Sequence, residues 1–301
     1  MKGSEIFKEL EVETESRLDR FLRKHYPQLK LASIYKLLKK GWVRVNQKRV
    51  KDPSYRLTPG DKVFVAYTGN VDHMIRSDTR EMKPAVMDLD ILYEDENYIA
   101  LAKRAGVSVH PGKNTTTPTL VEGLLFYGQK KGFKPYLVHR LDKHTSGVLL
   151  VCKNEESAKL LSSLLKKREV KKRYTTLVFG KTKEKGYIEQ PLNGQDALTV
   201  YQRIDYFSSA DVSLLSVDIK TGRKHQIRRH LSLIGHPVVG DNHYGDRSRN
   251  RWFKKNYGLK RYFLHCSQLS FVDPRNGKRF EFHAPLSKDL EETLKKLGDS
   301  S

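Results

Sequence analysis

The stretch Tyr136-Leu137-Val138-His139-Arg140-Leu141-Asp142-Lys143-His144-Thr145-Ser146-Gly147 holds a carboxylate, Asp142, two residues after a guanidinium, Arg140. A carboxylate kept ionised in a polar corner can attack an electrophilic carbon or take a proton. Taken alone, an Asp in a Thr-Ser-Gly turn more often accepts hydrogen bonds from nearby backbone N–H groups. Two further segments carry comparable groups. Lys171-Lys172-Arg173-Tyr174 sets a phenol directly behind three cations, and Thr221-Gly222-Arg223-Lys224-His225-Gln226-Ile227-Arg228 gathers guanidinium, imidazole and amide groups at the start of a periodic segment. By itself Tyr174 reads as a core aromatic at a strand start, and Arg228 as a surface cation.

The elements that must position these groups follow from pattern. Strand formers at 136–139 and 147–152 flank the Asp142 corner and predict strand, tight turn, strand. Lys171–Arg173 precede a strand that Tyr174 opens and that runs to Phe179. Ile227, Leu231 and Ile234 recur at helical spacing until Gly235 and Pro237, so Arg228 lies in the first turn of a helix whose N-terminus offers backbone N–H groups to an anion. Asn154 is expected to cap a helix that packs Leu160, Leu161, Leu164 and Leu165 inward. Ile91–Tyr93 and Tyr98–Ala102 read as hairpin strands, Leu120–Leu125 as a short helix, and 262–272 and 279–283 as strands before a closing helix from Ser287. Arg247 to Arg261 holds seven cations and no acid, interleaved with Trp252, Phe253 and Tyr257; it reads either as a solvated loop or as a segment that stacks on single-stranded RNA.

Upstream, Ser16 and Asp19 form a capping-box pattern for a helix with Leu18, Phe21, Leu22 and Tyr26 on one face. A second helix from Ser33 carries Ile34, Leu37 and Leu38 and stops at Gly41, and 42–46 and 62–66 read as strands. Residues 1–15 are expected to form an arm or an edge strand, 16–66 a small domain, 67–83 a linker and 84–301 a larger domain.

The chain of 301 residues carries 57 Lys and Arg against 35 Asp and Glu, a formal charge of +22. Within 17–62 there are fourteen Lys or Arg and three Asp, a net +11 and half of the total. Such a surface attracts polyanions, and the absence of a long apolar run disfavours a membrane. Met1 to Leu10 has no apolar run after Lys2, so no secretory signal is expected. Two cysteines, Cys152 and Cys266, lie in apolar strand-like stretches and are expected to be buried thiols in a reducing cytoplasm. The pairs His139/His144, His225/His230 and His230/His236 lack helical ligand spacing, so no metal site is expected.

The longer pattern decides between these readings. His139-Arg140-Leu141-Asp142-x-x-Thr145-Ser146-Gly147 resembles the active-site signature of the RluA-type pseudouridine synthases. Lys171-Lys172-Arg173-Tyr174 resembles that family's tyrosine motif, and Thr221-Gly222-Arg223-x-His225-Gln226-Ile227-Arg228 its third motif, with Gly240–Gly245 also fitting. Arg17–Leu22, Lys39–Asn46 and Pro59–Asp61 resemble the S4-type RNA-binding domain that precedes many of its catalytic domains, most like the RluC branch.

The resemblance implies an α+β chain: a small S4-type domain, then a catalytic domain with a central, mostly antiparallel mixed sheet flanked by helices and loops. It implies isomerisation of uridine to pseudouridine in RNA without a cofactor. Asp142 is then the catalytic carboxylate, Arg228 its partner, Tyr174 a stacking phenol, and Arg140 the group that fills the space left by a flipped nucleotide. RNA contacts are expected from Arg17, Arg20, Lys36, Lys39, Lys40, Arg44, Lys171, Lys172, Arg173, Arg223 and His225. The expected partner is 23S ribosomal RNA, bound by a monomer, with no role for DNA; transfer RNA is the rival substrate, and a non-catalytic RNA-binding or ribosome-assembly factor the rival class. Lys224 departs from the small polar residue the family often has there.

Overall fold

The computed structural model describes residues 6–27, 29, 31–67, 82–112 and 115–299, and divides into two compact units, 1–81 and 82–301. Most of the expected linker falls outside the described residues.

The N-terminal unit runs β1 (Ile6–Glu11), β2 (Ser16–Arg17), α1 (Leu18–His25), α2 (Leu31–Lys39), β3 (Val43–Val45), β4 (Lys48–Arg49), β5 (Arg56–Leu57) and β6 (Lys62–Tyr67). Four strands form one sheet in the order β1-β6-β3-β4, with β1 its edge strand, while β2 pairs with β5. Leu18 and Leu22 of α1 and Ile34 and Leu38 of α2, spaced one turn apart, bury their side chains with Val43, Leu57 and Val63. Asn46 and Gln47 both adopt positive φ, +47° and +68°, which matches the two-residue hairpin between β3 and β4. The expected cap at Ser16 does not form. Ser16 is held in the ladder opposite Leu57, its buried hydroxyl has no partner among the described residues, and Arg17 takes the cap position without a side-chain bond. Asp19 instead accepts from the Arg17 guanidinium at 3.2 and 2.9 Å.

The larger unit contains β7 (Ile91–Glu94), β8 (Tyr98–Lys103), α3 (Leu120–Lys131), β9 (Ser146–Cys152), α4 (Glu155–Lys166), β10 (Lys171–Phe179), β11 (Lys185–Glu189), β12 (Leu198–Phe207), β13 (Val212–Ile219), α5 (Gln226–Leu233), α6 (Arg247–Tyr257), β14 (Leu264–Val272), β15 (Arg279–His283) and α7 (Lys288–Gly298). Nine strands make a mixed sheet in the order β11-β12-β13-β10-β14-β9-β8-β7, with β15 against β14. All pairs are antiparallel except β14 with β9, which meet in parallel at His265↔Ser146 and Cys266↔Gly147. Every residue of β9 is buried, as a strand at the centre of a covered sheet requires. At that meeting Gly147 has φ +111°, and a Cβ there would lie 2.1 Å from the Cys266 carbonyl oxygen. Only glycine lets the strand leave the Asp142 turn this close to β14.

Residues 137–139 do not form the expected strand. Tyr136 alone bridges to Cys152, and His139 Nε2 accepts from the Leu150 N–H at 2.9 Å, so a side chain serves β9 where β14 has left it. Helix α3 runs past Leu125 to Lys131, begun by a Thr119–Glu122 capping box and closed by Gly132 at φ +76°. The segment 247–261 is largely helix, capped by Asp246, and Phe253 and Tyr257 face inward one turn apart. Those two rings are core, not stacking platforms; Trp252 is half-exposed at 48%. Asn154 caps α4 by accepting from the Ser157 N–H, and Cys152 and Cys266 are buried thiols. Among the described residues no helix is long and apolar enough to cross a membrane.

Candidate active site

Asp142 sits in the turn before β9, closed by the Thr145 N–H donating to the Asp142 carbonyl at 3.1 Å. Two buried cations hold that turn from behind. Lys103, 3% exposed, donates from Nζ to the carbonyls of Arg104, Val107 and Lys143 at 2.9, 3.0 and 3.2 Å. Arg261 donates to the His144 carbonyl at 2.9 Å and to Ser146 Oγ at 3.0 Å. Burial brings the Lys103 ammonium down to about 7, with Arg261 adding to the fall and Asp142 opposing it.

Arg228 comes from the first turn of α5. His225, at φ +55°, turns the chain into that helix, and Gln226 Oε1 accepts from Thr221 Oγ1 at 2.6 Å and from the Arg223 N–H at 3.0 Å. The Thr-Gly-Arg-x-His-Gln pattern is thus partly a folding device, and two of the N–H groups expected to face an anion are taken: Arg223's by Gln226, and Gln226's by the Arg223 carbonyl.

The main partner of Arg228 is Asp241, not Asp142. Nε and Nη2 reach the Asp241 carboxylate at 2.6 and 2.9 Å, whereas Nη1 lies 3.5 Å from Asp142 Oδ2. Asp241 also accepts from the N–H groups of His243 and Tyr244, and the guanidinium lies 4.2 Å from the Tyr262 ring and 5.0 Å from the Tyr244 ring. Burial pushes the Asp241 acid up, yet the Arg228 bonds and the backbone donors outweigh it and hold it below the ordinary carboxylate range. A bidentate pair between two aromatic rings fixes the plane of Arg228 and leaves one N–H edge toward Asp142.

Tyr174 is buried on β10, and the pairing of β10 with β14 shifts register between Arg173 and Tyr174. Such a bulge re-aims a side chain beside a site. Burial, the Cys266 thiol and Asp142 together raise the phenol well above its ordinary 10, so it keeps its proton. His225 Nε2 lies 3.8 Å from Asp142 Oδ2, too far for a hydrogen bond. Its pKa is lowered, chiefly by burial, against the pull of Asp142, so this contact is not an ion pair near neutral pH.

Arg140, Asp142, Tyr174 and Arg228 converge on one cavity of about 80 Å³, where Lys172, Arg223 and His225 also stand. Lys171 and Arg173 line an adjoining cavity, and Arg173 is tied to Asp218 by two 3.0 Å bonds. A larger cavity of about 1060 Å³, lined by Tyr187, Val200, Tyr201 and Ile234, contains none of the four signature residues; chemistry, not size, selects the smaller one. Arg17, Arg20, Lys36, Lys39, Lys40 and Arg44 belong to the N-terminal unit, where Arg17, Arg20, Lys39 and Lys40 are exposed. Asp241, Lys103 and Tyr262 are site residues that the motifs did not single out for a role. Asp241 stands in a quoted segment, and nothing local marks it as the partner of Arg228.

Residues 97–233 match the model of the RNA pseudouridylate synthase family, and residues 16–63 that of the S4 domain. An uncharacterised RNA pseudouridine synthase of Aquifex aeolicus is 36% identical over 269 residues, covering 82% of this chain and 83% of that protein. Ribosomal large subunit pseudouridine synthase C of Vibrio cholerae is 34% identical over 298 residues, 93% of each. Among solved structures, human RNA pseudouridylate synthase domain containing 4 aligns with TM-score 0.58 at 23% identity, covering 69% of this chain and 92% of that one, a likeness of fold.

Proposed function

The chain belongs to the RluA-type RNA pseudouridine synthases, an S4 domain followed by the synthase fold, and from that premise we propose that it isomerises uridines of 23S ribosomal RNA with Asp142 as the reacting carboxylate. The observation that carries this reading is the convergence of a turn carboxylate, a strand phenol and a helix guanidinium, from positions 142, 174 and 228, on a single cavity. The ribosomal target is favoured by the similarity to the Vibrio cholerae enzyme along nearly the whole chain.

Asp142 acts on the ribose. As a nucleophile it forms a bond to carbon 1′ while the bond from that carbon to the uracil nitrogen breaks; as a base it takes a proton from the sugar during elimination. The freed uracil then turns and its carbon 5 bonds to carbon 1′ as the bond to Asp142 breaks or, on the elimination route, as the sugar regains its proton; the uracil nitrogen takes up a proton and the proton on carbon 5 leaves. Arg228, fixed by Asp241, supplies positive charge beside Asp142 through the 3.5 Å contact. Tyr174 serves as a flat, protonated neighbour of the base, since a phenol raised so far is a poor source of phenolate. Arg140, exposed at the cavity rim, enters the gap left by the everted nucleotide. Lys172, Arg223 and His225 hold RNA at the cavity, and Arg17, Arg20, Lys36, Lys39, Lys40 and Arg44 hold it from the S4 unit.

The test is Asp142→Asn assayed on transcripts of 23S ribosomal RNA and of transfer RNA. Product formation should fall by about 10²- to 10⁴-fold or more with RNA affinity retained. Equal activity in variant and wild type would remove Asp142 from the reaction, and product on transfer RNA alone would move the target.

A further inference from the structure

Two grooves share lining residues with the Asp142 cavity. One, of about 280 Å³, runs beside the start of β10 past Arg168, Lys171, Gln268 and Arg279. The other, of about 490 Å³, runs between the end of α4 and the turn before α5, past Val138, Leu165, Lys166 and Arg223. The cavity shares Lys172 and Ile219 with the first groove and Gly222 and Arg223 with the second. The grooves share Arg168 and Lys220 with each other, so these two cations form the divide between them.

The charge in both is one-sided. Among the described residues that line them, the one acid is Asp218 in the first groove, and it is bound to Arg173. Arg279 is tied to Glu281, whereas Lys166, Arg168, Lys171, Lys172 and Lys220 pair with no carboxylate among the described residues. Arg168 adds an independent sign. It ends α4 at φ +63°, its N–H bonded to the Leu165 carbonyl at 3.2 Å, in the left-handed position that helix ends ordinarily give to glycine. An exposed arginine here works against local backbone preference, a cost that a function at the surface would offset.

A nucleotide everted from a continuous strand stays attached through a phosphate on each side, so its pocket needs two exits that tolerate anions. We propose that the two grooves are those exits: they carry the phosphates on the two sides of the everted uridine, and Arg168 and Lys220 part the two arms of a single-stranded RNA. This rests on the function proposed above and adds the path of the substrate backbone.

The experiment measures binding of a fluorescein-labelled decauridylate to the full chain across a salt series. Lys166→Glu/Lys220→Glu is expected to bind about tenfold or more weakly at moderate salt, with the log–log salt slope reduced by about 0.7 for each phosphate that the chain no longer neutralises. Lys130→Glu/Lys295→Glu, the same charge change at exposed positions outside both grooves, should behave as wild type. Arg168→Gly should raise the melting temperature while weakening binding, a combination that a merely structural arginine would not give. A groove variant no weaker than the control pair, or an Arg168→Gly chain of wild-type affinity, overturns the proposal. Decauridylate binding needs no turnover. A wild type that forms no pseudouridine, but whose groove variants bind more weakly, therefore sinks the function and spares the path.

Discussion

In the S4 unit the cations stand outside the fold: Arg20 and Arg23 on α1 and Lys39 at the end of α2 are exposed while the opposite faces of their helices pack. Around Asp142, exposed Arg140 apart, three cations are held inside it. Arg228 and Lys103 are buried, Arg261 lies behind the turn with its side chain 8% exposed, and each donates to named oxygens. The same residue types thus do two kinds of work. Exposed cations act through a summed, salt-screened field in which no single member is indispensable. Buried cations act through geometry, and removing one partner strands the other.

The comparison is tested most severely at Asp241. Asp241→Ala leaves the Arg228 guanidinium buried without its bidentate partner, which should destabilise the chain by about 3–5 kcal/mol in denaturant unfolding. Activity should fall with it, because the plane of Arg228 is no longer set. Glu9→Ala, which removes one side of the exposed pair with Lys62 at 3.0 Å, should leave the unfolding midpoint where it is. If both substitutions are equally mild, burial does not separate the two classes of cation.

Lys103 sharpens the same contrast through pH. Lys103→Met leaves three carbonyls without their donor and should lower stability by about 1–3 kcal/mol. Lys103 binds its proton only below about 7 in the folded chain but up to its ordinary 10.5 in the unfolded one. Between those values the unfolded state holds more protons, so this residue makes stability rise with pH across that window. The wild type should therefore show a rising segment from about pH 7 toward 10 that Lys103→Met flattens. An unchanged slope in the variant would mean that the buried amine is not what titrates.

How much of the fold and the site is legible in the sequence depends on where a residue's partners lie. Asp142, Tyr174 and Arg228 each stand in a contiguous segment whose neighbours build the local turn, bulge or helix start, and so the segments announce them. The Arg228–Asp241 bond joins a helix to a loop thirteen residues on, and Lys103 reaches the Lys143 carbonyl forty residues away. No local pattern encodes either contact. Ser16 fails as a cap because strand pairing with Leu57, a tertiary contact, outcompetes a local signal. Phe253 and Tyr257 mislead for the opposite reason: their one-turn spacing is a helix signal, masked by the density of cations around it. The strand order is out of reach, since the parallel meeting of β9 and β14 rests on two residue pairs, one of which depends on Gly147.

The mildest expected effect is also the most discriminating for the exposed class. Lys39→Ala removes one exposed charge from the end of α2 without touching the apolar face formed by Ile34, Leu37 and Leu38. Stability should not move. If Lys39 meets a phosphate, the salt slope of binding to a 23S ribosomal RNA fragment should fall by about 0.7–0.9, and binding should weaken most at low ionic strength. At saturating RNA the rate of pseudouridine formation should equal that of wild type, because a contact made equally before and during the reaction changes binding alone. A Lys39→Ala chain with intact affinity but a slower saturated rate would place an exposed lysine of the S4 unit in the chemical step, and the division between gripping and positioning cations would fail.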